Sequence, residues 1–442
     1  MVLSAELVIL LMVAVLLLLI VLGHPIGFVL GGVATIFGLV FIGNQAMHMF
    51  YLRLVSVFQD YTLIAIPLFV FMGIIIEQAG IAEKLYEAVR ILMGRLNGGL
   101  AITAILTSTI FAAATGVIGA SIVTVGILAL PSMKKYEYNN SLSTGSICAG
   151  GTLGILIPPS ILILVYGPTA AISVGALFAA AIIPGLLLSM MYMIYIGVRC
   201  KIDPSFGPGM SAEELAQYTT NDKVRLFLTS VVPVAIIILA VLGVIVVGVA
   251  APTEAAAVGA LAAMILAAFN KKLTLEGVKE ASLRTIKTSC MVYMVLIGAN
   301  FFTGVFMRLG GGDIVKELVI GLPFPDWGLL LTMWFVIFIL GMFIDWIGVI
   351  MIAIPLFTPI AAELGYDPIW FAMMNIVLLQ TSFLTPPFAY SIFYVKGIAP
   401  EGITTVDIYK GVVPFVGIQL VTLVILGAFP QIIMFLPKAF GL

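Results

Sequence analysis

Apolar positions fill most of the chain, and short polar or glycine–proline turns divide them into runs. Residues 7–22, 26–42, 61–78, 171–198, 226–249, 255–269, 288–307 and 408–436 are such runs. A stretch of about 17–25 apolar residues crosses a bilayer as a helix, so a span is expected for each. The first run has no basic flank and no small-residue cleavage site, which favours a span over a leader. Residues 44–60 and 271–287 mix charged, aromatic and aliphatic positions. That pattern predicts amphipathic arms lying in the membrane surface.

Four apolar stretches are interrupted in ways that a plain span is not. Residues 100–131 are broken in the middle by Thr115-Gly116 and Gly119-Ala120-Ser121, and residues 327–360 by Gly341 and Asp345-Trp346. Each reads either as one long tilted span or as a re-entrant hairpin with the small or polar residues at its tip. Residues 141–169 contain Gly150, Gly151, Gly154 and Pro158-Pro159, and residues 367–395 contain Gln380-Thr381-Ser382 and Pro386-Pro387. Proline removes a backbone donor and clashes with the preceding turn. Backbone groups freed in this way at membrane depth need protein or a wet cavity around them. Paired breaks in two halves point to a transporter's binding site.

The halves repeat. Pro25, Phe71, Pro131 and Pro158 are matched by Pro252, Phe302, Pro355 and Pro386, at offsets of 227, 231, 224 and 228 residues. The seam is the polar stretch 199–222, with Pro204, Pro208 and Glu213-Glu214. Charge chooses between span and hairpin. With both interrupted stretches re-entrant, all of the 20 Lys+Arg except Arg53, Arg308, Lys316 and Lys438 fall on one side. That obeys the positive-inside rule, and it inserts the second half in the opposite sense to the first.

Composition narrows the class. The chain has 442 residues, of which 62% are hydrophobic and 9% charged, and its mean hydropathy is +1.24. No soluble core needs that much apolar surface. The net charge of -1 says nothing about nucleic acid, and with no basic patch in the chain a nucleic-acid partner is not expected. Cys148, Cys200 and Cys290 form no CxxC or Cys/His spacing, and are expected to be small apolar packers. No HExxH is present and no Ser or Cys has a plausible His base, so an intramembrane enzyme is a poor reading. A channel-like or structural membrane subunit without ion coupling is the alternative to a carrier. A channel does not require paired broken helices.

The run Gly150 to Ser160 (GGTLGILIPPS), the run Ala251 to Ala260 (APTEAAAVGA) and the second Pro-Pro with its Gln-Thr-Ser resemble the DctM-like large membrane subunit of tripartite ATP-independent periplasmic (TRAP) transporters. The similarity spans nearly the whole chain. At the first hairpin tip many members carry a Ser-Gly-Ser type run, where this chain has Thr115 to Ser121. The resemblance implies sodium-driven uptake of an organic acid across the bacterial inner membrane. It also implies a soluble periplasmic substrate-binding protein, a small four-helix membrane subunit, and an elevator motion of a transport domain against a scaffold.

The expected fold is therefore an all-α polytopic membrane protein of two inverted-topology repeats, each with a re-entrant hairpin and a broken transmembrane helix. Residues 1–60 are the first scaffold helices and arm, and 61–200 the first hairpin and broken helix. Residues 201–287 hold the cytoplasmic connection, second scaffold helices and arm, and 288–442 the second hairpin and broken helix; 61–200 and 288–442 are the expected transport parts. Asp345 is an acid within an apolar stretch, where acids face cavities or pathways. Arg308 at a span end suits a carboxylate. With Thr115 and Ser121 these are the candidate substrate contacts. For sodium, a hard cation wanting oxygen ligands, the candidates are Thr115, Gly116, Gly151, Thr152, Gly341, Asp345, Gln380, Thr381 and Thr385. No other cofactor is expected. A C4-dicarboxylate and a sialic acid both remain open as substrate, with one Arg and one Asp leaning towards sialic acid.

Overall fold

The computed structural model describes residues 4–116, 118–211, 217, 219–386 and 389–442. Val117, Glu213, Glu214 and Pro387 lie outside these. The described residues form helices and connections with no strand. In order they are α1 (Ala5–Val21), α2 (Ile26–Phe41), α3 (Gln45–Gln59), α4 (Ala65–Gln78), α5 (Ile81–Met93), α6 (Gly99–Thr115), α7 (Ile118–Lys135), α8 (Asn140–Thr152), α9 (Ile161–Ala170) and α10 (Val174–Ile202). Then follow α11 (Thr220–Val246), α12 (Pro252–Phe269), α13 (Leu275–Arg308), α14 (Gly311–Ile320), α15 (Asp326–Phe343), α16 (Trp346–Glu363), α17 (Pro368–Ser382), α18 (Tyr390–Ile398), α19 (Thr405–Ala428) and α20 (Gln431–Ala439). Among the described residues nine helices are long and apolar enough to cross a membrane.

Helix ends are set by polar caps written into the sequence. Thr219 with Asp222 and Thr404 with Asp407 close capping boxes on α11 and α19, and Asn139 accepts from the N–H groups of Ser141 and Leu142 at the start of α8. Such caps satisfy backbone donors that the helix itself leaves free. Glu254 accepts from the Ala251 N–H at 3.0 Å, reaching back over the first turn of α12.

Two boundaries differ from the sequence expectation. The basic arm 271–287 is no separate element; it runs straight into the following span as the 34-residue α13. Nothing between Lys287 and Thr288 breaks a helix. In the first half Asp60 accepts from the Thr62 N–H at 2.9 Å and the chain makes a 3-10 turn over Tyr61–Ile64, so α3 and α4 stay distinct. The last apolar run also divides, with Phe429 and Pro430 separating α19 from α20.

The helices associate through small residues, as apolar helices do where burial against lipid offers no gain. Helix α2 crosses α13 where Gly27 meets Gly298; a Cβ on Gly298 would lie 2.3 Å from the Gly27 carbonyl oxygen. Helix α8 meets α19 where a Cβ on Gly145 would lie 2.2 Å from the Gly411 carbonyl oxygen. Helix α4 packs on α12 and α13, and Arg284 on α13 makes a two-pronged ion pair with Glu77 on α4, both contacts at 3.1 Å. Helices α6 and α7 lie side by side, joined at Gly116; α15 and α16 are joined at Ile344 and Asp345. The first broken segment ends α8 at Thr152, passes through a 3-10 turn and a cis Pro158–Pro159 bond, and resumes as α9. The second ends α17 at Ser382 and resumes as α18.

Candidate functional site

The two breaks and the two hairpin turns converge. Gly116 ends α6 in a left-handed conformation, φ 62°, where a side chain is strained. Its Cα faces the other break so closely that a Cβ would lie 2.6 Å from the Pro159 carbonyl oxygen. The Thr115 hydroxyl donates to the Phe111 carbonyl at 3.1 Å and lies 3.3 Å from the Ser121 hydroxyl across the same turn. One hairpin tip and one helix break thus bring two buried hydroxyls and a proline carbonyl into one neighbourhood.

The breaks also touch each other. Gln380 Nε2 donates to Thr152 Oγ1 at 3.1 Å, while the Thr152 hydroxyl donates to the Ala149 carbonyl at 2.8 Å. The Gln380 side-chain oxygen is buried and meets no donor among the described residues. At the second turn the Ser382 hydroxyl is likewise buried and unpaired, and it fills the space that Gly341 leaves: a Cβ there would lie 2.5 Å from it. Thr381 and Thr385 donate to helix carbonyls, those of Leu378 at 2.5 Å and Thr381 at 2.6 Å. Their oxygens keep lone pairs for a cation. Buried oxygens without donors are what a hard cation takes, since an unmet buried polar atom is costly.

Asp345 has two placements at once. Its carboxylate accepts from the Ile347 N–H at 3.3 Å, capping α16. It also lines a cavity of about 480 Å³. One wall of that cavity is Pro25 to Phe28 of α2 and Thr288 to Val295 of α13. The other carries Gly116 and Gly119, Asp345 and Trp346, and beyond the second break Phe383, Tyr390 and Tyr394. The volume suits a small organic solute. Among the described residues Asp345 is the only charged one on its walls.

One sequence candidate lines a different cavity. Arg308 does not reach this cavity; it lines a second one between α3 and the end of α13. Arg308 is the last residue of α13, whereas Thr288 to Val295 of the same helix line the first cavity. The lean towards sialic acid paired Arg308 with Asp345, which line different cavities. Gly151 sits inside α8, before the break, with its Cα pressed on Ile122: a Cβ would lie 2.1 Å from that side chain. Its carbonyl accepts from the Leu153 N–H, and Gly151 adjoins Thr152 at the end of α8. Sequence reasoning missed Ser382, although it stands in the Gln-Thr-Ser run. It also missed Ser108, whose buried, unpaired hydroxyl faces Gly150. Ser108 lies in an apolar helix with no local signal.

The whole chain has counterparts among known proteins. It is 31% identical over 394 residues to the C4-dicarboxylate TRAP transporter large permease protein of Pseudomonas aeruginosa, covering 88% of this chain and 90% of that one. It is 29% identical over 419 residues to the sialic acid TRAP transporter large permease protein of Vibrio cholerae, covering 95% and 96%. It is 29% identical over 434 residues to the ectoine TRAP transporter large permease protein of Halomonas elongata, covering 96% and 98%. In three dimensions it is similar to the YdaH transporter of Alcanivorax borkumensis, with a TM-score of 0.65 and 15% identity over 94% of this chain and 98% of that one, a likeness of fold. The model of the tripartite ATP-independent periplasmic transporter DctM component matches residues 13–432. Convergent helix breaks around a solute-sized cavity thus belong to a chain that is a member of the DctM family, the large membrane permeases of tripartite ATP-independent periplasmic transporters.

Proposed function

We propose that this permease drives uptake of an organic acid with the sodium gradient, taking its substrate from a periplasmic binding protein and working beside a small membrane subunit. Membership of the family makes the chain a multi-pass inner-membrane transporter of organic acids and not an enzyme. The observation that carries the finer reading is the make-up of the site. Among the described residues the cavity walls hold no Lys, Arg or His, and their one charge is the Asp345 carboxylate. An anionic solute entering there meets a like charge, at a cost that low dielectric enlarges. Sodium held by the Asp345 carboxylate together with the hydroxyl and carbonyl oxygens of Thr115, Gly116, Thr152, Gln380, Thr381, Ser382 and Thr385 removes that cost, so the carboxylate is needed for uptake. Sodium binding therefore makes substrate binding favourable, and the two travel together.

The cavity lies between α2 and α13 on one side and the hairpin turns with the broken helices on the other. We take the first set as the fixed scaffold and the second as the moving part, in two oppositely inserted repeats. The test is uptake into liposomes holding the permease with its small subunit, with the binding protein outside. Uptake is expected to rise steeply with an inward sodium gradient and to vanish without one. Uptake indifferent to sodium sinks the coupled reading and leaves the passive one. Given the same treatment, C4-dicarboxylate, sialic acid and ectoine, the substrates named for the relatives, sort the substrate class.

A further inference from the structure

A second cavity, of about 890 Å³, shares no lining residue with the first. It lies between the amphipathic α3 and the Arg308 end of α13. Arg53 forms part of its wall from the middle of α3, half-buried, and Arg308 and His48 line it too. The Arg53 guanidinium occupies the notch left by Gly304 on α13, where a Cβ would lie 2.3 Å from its Nε. The wall is held in place by Phe50 of α3 stacked on Phe301 of α13, ring centroids 4.5 Å apart. Among the described residues neither arginine meets a carboxylate. Two guanidiniums facing one cavity repel each other, and a half-buried one without an anion is costly. The geometry presents two guanidiniums to one space.

We propose that this cavity holds the headgroup of an anionic phospholipid, with its phosphate oxygens met by Arg53 and Arg308. The guanidinium fork matches phosphate oxygens in pairs. The same cavity is lined by Ile42, Met49 and Leu52, apolar surface for the glycerol and upper acyl carbons. Helix α3 also presents Met47, Tyr51 and Phe58 outward, as a helix seated among headgroups does. A phospholipid is present at that depth at all times, whereas a soluble anion must be recruited. The site is separate from the sodium-dependent cavity and does not depend on how that cavity works.

The experiment is native mass spectrometry of the purified permease, after exchange into vesicles of phosphatidylethanolamine with or without phosphatidylglycerol. The wild-type chain is expected to retain phosphatidylglycerol through delipidation and to discriminate against a neutral diacylglycerol. Arg53→Gln with Arg308→Gln is expected to weaken that retention by about tenfold or more, the effect of losing charge-assisted hydrogen bonds. If that pair does not fold, the wild-type comparison decides by itself: equal retention of diacylglycerol overturns the proposal. Undiminished retention in a folded double variant overturns it as well. So does displacement of the lipid by inorganic phosphate alone, which makes the ligand a soluble anion. A double variant that keeps its lipid but no longer co-purifies with the small membrane subunit assigns the arginines to a protein carboxylate, and also overturns it.

Discussion

Asp345 shows how one residue answers two demands. As the N-cap of α16 it satisfies a backbone donor, and as a cavity residue it puts a carboxylate on the wall. Substitution separates them. Asn caps a helix about as well as Asp, so Asp345→Asn is expected to keep thermal stability while uptake falls at least about tenfold. Asp345→Ala is expected to lose the cap as well, at about 1 kcal/mol. Normal uptake by the Asn variant leaves Asp345 as a cap only. Gly116 is constrained twice, by its positive φ and by the Pro159 carbonyl. Gly116→Ala is expected to cost about 1–2 kcal/mol from the left-handed conformation alone, and more from the displaced carbonyl. Uptake measured beside a melting curve distinguishes a damaged site from a damaged fold. Both residues were legible in the sequence, because an acid or a glycine in an apolar run stands out. Ser108 and Ser382 were not, since hydroxyls are common in membrane helices and only a neighbour on another helix shows that they lack a partner.

At the scale of elements, breaks were easier to read than continuities. Gly-Pro punctuation marked both broken helices, but the fusion of the second arm and span into α13 followed from the absence of any breaker, which is a weak signal. The length of α13 has a consequence: it sets Arg308 and Thr288 at fixed separate heights, one in each cavity. The α2–α13 crossing depends on glycine. Gly298→Ala pushes a methyl onto the Gly27 backbone, which cannot rotate away, and is expected to destabilise by about 1–3 kcal/mol. Gly197 in α10 is the control, with nothing within 4 Å of a built Cβ. Gly197→Ala is expected to be neutral or to stabilise by up to about 1 kcal/mol from helix propensity. Thermal unfolding of the two variants in the same detergent checks both, and equal shifts would refute the close-crossing argument.

For the whole molecule, the distribution of Lys and Arg fixes an expected orientation that labelling can test. In a Cys290→Ser background, with Cys148 and Cys200 buried, Lys438→Cys is expected to react with an impermeant maleimide from the periplasmic side. Lys410→Cys is expected to react only after the membrane is opened. Both side chains are exposed, so access decides the result; the reverse pattern overturns the orientation. The sequence by itself determined the class of molecule: apolar run lengths demand a membrane, and proline and glycine at fixed spacing demand broken helices in each half. These are local properties, because a helix needs only its own residues to span or to break. Which broken ends meet was decided by tertiary structure alone. Gly116 faces Pro159, Gln380 reaches Thr152, and Arg308 is carried away from Asp345 to another cavity. Those relations depend on how helices far apart in the chain cross, and the crossings are set by pairs of small residues such as Gly27 with Gly298 and Gly145 with Gly411. Each member of such a pair is unremarkable on its own, and the meaning of a glycine in a membrane helix lies in the backbone opposite it.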